Sequence, residues 1–549
     1  MDSMNLHTFE TLSPFEIKDE LIKLAKKTSR TTQSAFLNAG RGNPNWIATT
    51  PREGYFLLGQ FAVTESKRVM EHPAGLGGMP QAQGIAGRLA AWLKKNSEMP
   101  GASFLAAMVP FAVKTFAFEP DAFVHELVDS IIGDNYPVPD RMLVHNERIA
   151  HEYLMWAMCG DPKPAGKFDL YAVEGGTAAM CYIFKSLKAN RLLRAGDTIA
   201  LGTPIFTPYI EMTHLEDYDL KVVNIRAPQE NRFQFTDAEI KKLEDPKIKA
   251  FFVVNPGNPT GVALSHETIA KIANLVKTKR PDLMLLTDDV YGTFVPEFRS
   301  LLGELPQNTI GVYSYSKYFG ATGWRLGVIA VHEENIYDKM IAKLSDTDLH
   351  ALDKRYGALT LEPRKIKFID RIVADSRDVA LNHTAGLSLP QQVMMSLFSL
   401  SELMDSQKQY QSACREIVSR RVHALLDGLG LELSPNPLYD GYYGLIDFEF
   451  WANKNIGKEA VDYLKSHVHP LDLAFRLAEG HGIVLLNGGG FDAPDWSLRV
   501  SLANLNDEVY EEIGRGVRSI ARGYRDAYEA SERHARAQSE HKEPTPVSR

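Results

Sequence analysis

The hydrophobic rhythm of the chain changes several times along its length. Residues 12–30 read as one amphipathic helix: Leu12, Ser13 and Pro14 give a start signal, and Ile17, Leu21, Leu24 and Ala25 share an apolar face. A turn-rich stretch, NAGRGNPNW from Asn38 to Trp46, follows it. Residues 53–133 carry a mainly helical pattern. From Phe168 onward short apolar runs alternate with amphipathic segments. Leu170–Val173, Thr198–Leu201, Ala250–Val254, Leu283–Thr287, Thr309–Tyr313 and Leu326–Val331 are strand candidates, and Ala178–Leu193 has helical spacing. Such alternation predicts an α/β domain with a largely parallel sheet. Ligands of such sheets sit on the loops that follow the carboxyl ends of the strands. Residues 390–429 read as helical, with a long run through Gln407–Leu429, and 430–520 mix strands and helices in a smaller α/β unit. The polar tail from Ser531 to Arg549 is expected to fray.

Composition narrows the classes of function. With 549 residues, 44% hydrophobic and 24% charged, the chain can bury a large core as a soluble protein. Its formal net charge of −8 argues against a general nucleic-acid binder. Cys159, Cys181 and Cys414 share no close spacing, so no zinc motif, redox pair or disulfide framework is expected. Reduced thiols fit a reducing, cytoplasmic compartment. The N-terminus has no apolar core of a secretory signal. The most membrane-like stretch, Gly101 to Phe118, holds Pro110 and Lys114 and reads as a buried or interface segment. No metal site and no membrane partner are expected.

Four local patterns carry chemistry. SYSKYFGATGWRLG, Ser314 to Gly327, places Lys317 just past an apolar strand and Arg325 eight residues later. A lysine there can form an imine with an aldehyde when burial and nearby positive charge keep its amine neutral. Arg325 can supply that charge and a phosphate contact. NPGNPTG, Asn255 to Gly261, is a preset tight loop after a strand that presents the Asn258 amide. EGGTAAM, Glu174 to Met180, joins a strand to a helix through small residues that let backbone N–H groups approach an anion. TDDVYGTF, Thr287 to Phe294, sets Asp288 at a strand end, where it can pair with a cationic ring nitrogen, and Tyr291 three residues on. Each alone is equally well a turn, a surface lysine or ordinary loop polarity. The ordered set is what narrows the reading.

That set resembles the fold-type I pyridoxal phosphate enzymes of the class I/II aminotransferase superfamily, over roughly residues 130–510. The resemblance implies a large domain with a mostly parallel seven-stranded sheet sandwiched by helices, plus a smaller α/β domain. It divides the chain into an N-terminal segment with a helical insertion (1–133) contributing to the small domain and to subunit contacts, a large cofactor domain (134–425), a small domain (426–525) and a polar tail (526–549). It implies pyridoxal 5′-phosphate held covalently by Lys317, with Asp288 on the pyridine nitrogen and Tyr291 and Asn258 on the ring oxygen. Gly175, Gly176, Thr177, Ser314 and Arg325 would surround the phosphate, and Phe206 in TPIFTPY would stack on the ring. Arg499 in SLRVSLAN matches the arginine that grips the substrate α-carboxylate. Tyr136 in DNYPVPD looks like the tyrosine that reaches the phosphate of a neighbouring subunit, which requires a dimer.

The unusual length, the Lys317 segment and the early NAGRGNPNW segment resemble, more narrowly, the bacterial aspartate 4-decarboxylases. That resemblance implies conversion of L-aspartate to L-alanine and carbon dioxide, with some aspartate aminotransferase activity on small keto acids. It implies dimers that build a larger homo-oligomer. Phe206 stands where common aspartate aminotransferases have tryptophan. Arg41 is a candidate partner for the β-carboxylate, with Lys354 and Arg355 behind it; an arginine that merely caps a turn is an equal account of Arg41. Two rivals stay open. One is a plain aminotransferase for aspartate or another acidic amino acid. The other is a non-catalytic regulator on this fold, although the first 50 residues show no clear helix-turn-helix.

Overall fold

Seven strands build the central sheet: β1 (Phe168–Val173), β2 (Thr198–Thr203), β3 (Lys221–Arg226), β4 (Ile248–Val254), β5 (Met284–Asp288), β6 (Thr309–Ser314) and β7 (Gly327–His332), in the spatial order β1-β7-β6-β5-β4-β2-β3. All pairings are parallel except those of β7, which runs antiparallel to β1 and to β6. The architecture comes from a computed structural model, which describes residues 6–540 except 11, 33–34, 216, 378–385 and 433. The sheet is buried on both faces, so its central strands are apolar throughout rather than alternating. The edge strand β3, KVVNIR, is mostly half-exposed, and its mixed polarity hid it from the periodicity reading.

The parallel order brings the carboxyl ends of β1, β2, β4, β5 and β6 to one edge. Because β7 is reversed, its entry loop arrives at that edge as well. Every pattern singled out in the sequence between Glu174 and Arg325 therefore lies along one rim.

The first 133 residues go to two places. Helix α1 (Pro14–Thr32) packs Ile17, Leu21 and Ala25 into the core of the C-terminal unit, and the two-residue strand Leu37–Asn38 pairs in parallel with Ile483–Val484. Helices α2 (Thr49–Val69), α3 (Ile85–Lys95), α4 (Ala102–Phe116) and α5 (Pro120–Ile132) form a separate apolar cluster. That cluster rests on α7 (Leu389–Met404), which turns Val393 and Leu397 toward it and Met394 and Phe398 toward the sheet. Helix α6 (Gly176–Ala189) starts directly after Gly175, which caps its N-terminus. The stretch 390–429 that reads as helical is interrupted after Met404, and the long run read through Gln407–Leu429 is α8 (Gln409–Leu429), which begins beyond Lys408, whose φ is +54°.

The C-terminal unit holds a three-stranded antiparallel sheet, β8 (Tyr443–Asp447), β9 (Leu486–Asn487) and β10 (Ser497–Ser501), with β10 central. Helices α9 (Asp472–His481) and α10 (Tyr510–Glu540) cover it. The expected fraying from Ser531 is corrected here: α10 continues to Glu540. Residues 541–549 lie outside the described ones. Among the described residues no helix is long and apolar enough to cross a membrane, and Gly101–Phe118 is largely α4, which buries one face, with Phe104, Leu105, Met108 and Ala112, and leaves the other exposed.

Candidate active site

A cavity of about 230 Å³ opens on the carboxyl rim of the sheet. Its walls include Gly176, Thr177, Phe206, Asn258, Asp288, Tyr291, Ser314, Lys317, Arg325 and Arg499. Residues as far apart in sequence as Phe15 and Arg499 thus face one space.

One end is built for an anion. Gly176 and Thr177 open the 14-residue helix α6, whose first N–H groups and dipole favour negative charge. Ser314, Ser316, Thr322 and Arg325 join them. Gly175, at φ +94°, has no room for a side chain: a β-carbon there would stand 2.3 Å from Arg325 Nη2. The Arg325 guanidinium is pinned from behind, donating from Nη1 to the Thr322 carbonyl (2.9 Å) and from Nη2 to the Glu174 carbonyl (3.1 Å). Its backbone sits in the left-handed region at φ +56°, an uncommon conformation for a side-chain-bearing residue that cavity-facing groups accept more often than others.

The floor carries the buried carboxylate. Asp288 ends β5, and its Oδ2 accepts a 2.6 Å hydrogen bond from the Tyr209 hydroxyl, while Oδ1 accepts from the Val290 N–H at 3.3 Å. Burial pushes the Asp288 carboxyl up from the usual carboxylate range, and the Tyr209 bond, the Val290 N–H and the Lys317 charge act in the opposite direction. The half-buried Lys317 reaches into the cavity and donates from Nζ to the Gly42 carbonyl at 2.8 Å. The Tyr442 hydroxyl donates to the same carbonyl, also at 2.8 Å.

The far wall holds a buried cation. Arg499, 1% exposed on β10, donates from Nη1 to Asn258 Oδ1 (3.2 Å) and from Nη2 to the Gly40 carbonyl (3.0 Å). Its Nε has no hydrogen-bond partner, and among the described residues no carboxylate pairs with it. Aromatic faces surround it instead: the Tyr443, Phe491 and Phe15 ring centres lie 4.4, 5.1 and 5.7 Å from the guanidinium carbon. A buried guanidinium with only neutral partners is costly unless an anion completes it. The Asn258 loop is locked by Asn255, whose Oδ1 accepts from the Leu264 N–H (2.9 Å). Gly261, at φ +68°, lets this loop touch the Tyr443 carbonyl, which a β-carbon would approach to 2.6 Å.

Several lining residues escaped the sequence reading: Phe15, Gly42, Tyr209, Ser316, Thr322 and Tyr443. Tyr209 lies three residues after Phe206 and Ser316 beside Lys317, so a motif read one turn wider would include both. Phe15 and Tyr443 carry no local signal. Three expected residues are not among the cavity walls of this single chain: Gly175, which lies behind them against Arg325, and Tyr136 and Arg41. Tyr136 is 64% exposed, and Arg41 is exposed although its neighbour Gly42 lines the space. Lys354 is exposed, and Arg355 pairs with the buried Asp375 at 2.9 Å, so neither faces the cavity. Elsewhere, His7, Glu10 and His469 form the one described group able to hold a metal ion, with both histidines contacting the same Glu10 oxygen.

An anion cradle, a buried carboxylate, a lysine and a buried arginine on the carboxyl rim of such a sheet define the class I and II aminotransferases, whose cofactor is pyridoxal 5′-phosphate, and residues 175–516 match that family. The chain belongs to it. Within the family it is 47% identical over 529 residues, 96% of this chain and 99% of the other, to a Pseudomonas protein described as a bifunctional aspartate aminotransferase and L-aspartate beta-decarboxylase. It is 33% identical over 158 residues, 28% of this chain and 39% of the other, to an aspartate aminotransferase of Pyrococcus abyssi. The fold matches an aspartate aminotransferase from Thermus thermophilus solved with maleate at a TM-score of 0.56 and 17% identity, covering 95% of this chain and all of that one.

The residues present fit the cofactor. Gly175 leaves the space Arg325 needs, the donors at one end suit a phosphate, and the Asp288 carboxylate suits a protonated ring nitrogen.

Proposed function

We propose that this protein catalyses β-decarboxylation of L-aspartate to L-alanine and carbon dioxide, and also transaminates L-aspartate. The observation that carries the reading is the full-length match to the bifunctional Pseudomonas protein, which spans the helical insertion as well as the cofactor domain.

Each site residue has a task in this reading. Gly176, Thr177, Ser314 and Arg325 hold the phosphate, with Gly175 making room for the guanidinium. Phe206 covers the ring, and Asn258 and Tyr291 hydrogen-bond its oxygen. Asp288 keeps the ring nitrogen protonated. Lys317 bonds the cofactor and moves the proton at the substrate α-carbon. Arg499 takes the α-carboxylate in two parallel hydrogen bonds, which completes the cation that the described residues leave without a counter-charge. Bound there, pyridoxal phosphate supplies an electron sink for the pair released at the substrate. In net terms the bond from the β-carbon to its carboxylate breaks, carbon dioxide leaves, and the β-carbon gains a proton. Exclusion of water by Phe15, Phe206 and Phe491 favours this outcome over hydrolytic release of the keto acid.

Arg41 is the proposed partner of the β-carboxylate, because it adjoins Gly42 at the cavity wall. It must select aspartate without pairing so tightly that loss of neutral carbon dioxide is opposed. The exposed Tyr136 is proposed to serve the phosphate of a neighbouring copy in a homodimer, and the apolar insertion helices to extend that dimer to a larger assembly. The absence of paired cysteines among the described residues supports a cytoplasmic location.

The test is incubation of the holoenzyme with L-aspartate and no keto acid. Steady release of alanine and carbon dioxide is expected, and Lys317→Ala should lose both the visible cofactor band and turnover. A single turnover that stops once all cofactor has taken up the amino group would identify a plain aminotransferase instead.

A further inference from the structure

Decarboxylation demands something that transamination does not: a proton for the β-carbon. We infer that Tyr443 is the acid that delivers it. The inference rests on the reading above and concerns a residue to which neither the sequence motifs nor that reading gave a task.

Tyr443 begins β8 and is 2% exposed, yet it lines the cavity. Its ring lies against the Arg499 guanidinium, 4.4 Å from the guanidinium carbon. Its hydroxyl accepts a 3.3 Å hydrogen bond from the Tyr291 hydroxyl. A β-carbon built on Gly42 would stand 2.6 Å from the Tyr443 oxygen and 3.1 Å from Lys317 Nζ, so the phenol and the amine flank one point in the cavity. A substrate whose α-carboxylate sits on Arg499 and whose α-carbon faces Lys317 has its short side chain alongside this hydroxyl. Lys317 already carries the α-proton, and a second donor lets the β-carbon be protonated without waiting for the amine to recycle.

The electrostatics suit a donor that must give up its proton. Burial alone would raise the phenol, but the charges of Lys317 and Arg499 and the hydrogen bond from Tyr291 outweigh it and hold Tyr443 below the ordinary phenol range. Asp440 acts in the opposite direction; the Tyr442 phenol beside it and the Tyr439 phenol, which donates to the Tyr443 carbonyl at 2.7 Å, are both pushed up by burial.

The step balances. The bond between the β-carbon and the departing carboxylate breaks, and its electron pair stays with the organic fragment. The Tyr443 O–H bond breaks, and the proton forms the new C–H bond of the methyl group. The phenolate then regains a proton from water.

The test compares wild type with Tyr443→Phe as holoenzymes given L-aspartate. The visible cofactor band should persist and the transamination half-reaction should stay within a few-fold. The ratio of alanine to oxaloacetate should fall on the order of 100-fold, as expected on loss of a positioned acid. An unchanged ratio, or a parallel loss of both products, overturns the assignment. 3-Fluorotyrosine at position 443 keeps the shape but makes the phenol more acidic. It should move the alkaline loss of alanine formation to lower pH, and an unmoved profile overturns the assignment too. Ultraviolet difference titration of wild type against Tyr443→Phe should show a phenol ionising below the ordinary range. Failure of the proposed reaction itself looks different: wild type would form no alanine at all.

Discussion

The Tyr209 hydroxyl stands 2.6 Å from Oδ2 of Asp288, both side chains being buried at the floor of the cavity. The pair joins the helix that follows β2 to the end of β5 through a neutral donor, which favours the charged form of the carboxylate against the burial that opposes it. Burial drives the Asp288 carboxyl up and the Tyr209 bond draws it back.

Tyr209→Phe removes that donor and leaves one carboxylate oxygen unpaired. A hydrogen bond to a charged group is worth about 1.5–3 kcal/mol, or roughly 10–100-fold. Cofactor retention on dialysis and turnover should both fall within that range, and the visible band should titrate at a changed pH. Unchanged retention would mean that Asp288 needs no second partner.

Gly175→Ala places a methyl group where Arg325 Nη2 now lies, at a φ of +94°. The guanidinium must swing away from the anion end. Affinity for pyridoxal phosphate should fall by roughly 10-fold or more, from about 1–3 kcal/mol of backbone strain alone. Inorganic phosphate should protect the variant against thermal unfolding less than it protects the wild type.

Arg499→Lys keeps the charge but loses the planar two-point contact and the stacking against Tyr443. The KM for L-aspartate should rise at least about 10-fold, for a loss of roughly 1.5–3 kcal/mol of charge-assisted bonding. The cofactor band should be unaffected, since the arginine is proposed to hold the substrate. Loss of the band would move Arg499 to the cofactor.

Asp289 gives a pH-dependent stability. Its buried carboxyl is pushed up to about 8 by desolvation, although Ser300 and Thr287 hydrogen-bond it. In the unfolded chain it titrates near ~3.9. Between those values the native protein holds a proton that the unfolded chain has released, so this group makes stability fall as pH rises, by up to about 1.4 kcal/mol per pH unit. In cofactor-free protein, Asp289→Asn should flatten the decline of melting temperature between pH 5 and 8. An equally steep decline in the variant would place the titrating group elsewhere.

Much of the fold was readable because the physics of a doubly covered parallel sheet is local in sequence. Strands buried on both faces must be apolar throughout, and six of the seven appeared as such runs. The seventh, β3, is a half-exposed edge whose few apolar residues, Val222, Val223 and Ile225, stand among Lys221, Asn224 and Arg226 without a clear run. The break after Met404 falls in a polar stretch, Asp405 to Gln409, that reads equally well as an exposed helix face, and Lys408 there turns the backbone left-handed.

The amino-acid sequence alone determined the ordered set from Gly175 to Arg325, because each member sits on a strand-end loop and keeps its spacing from that strand. It also marked Arg499 by its local match. Tertiary structure alone decided what meets them. Phe15 and Gly42 reach the cavity because α1 packs in the C-terminal core and the following loop crosses to the sheet rim. Tyr443 arrives because β8 pairs with β10, which carries Arg499. Those contacts arise from long-range burial and strand register, and no spacing along the chain records them.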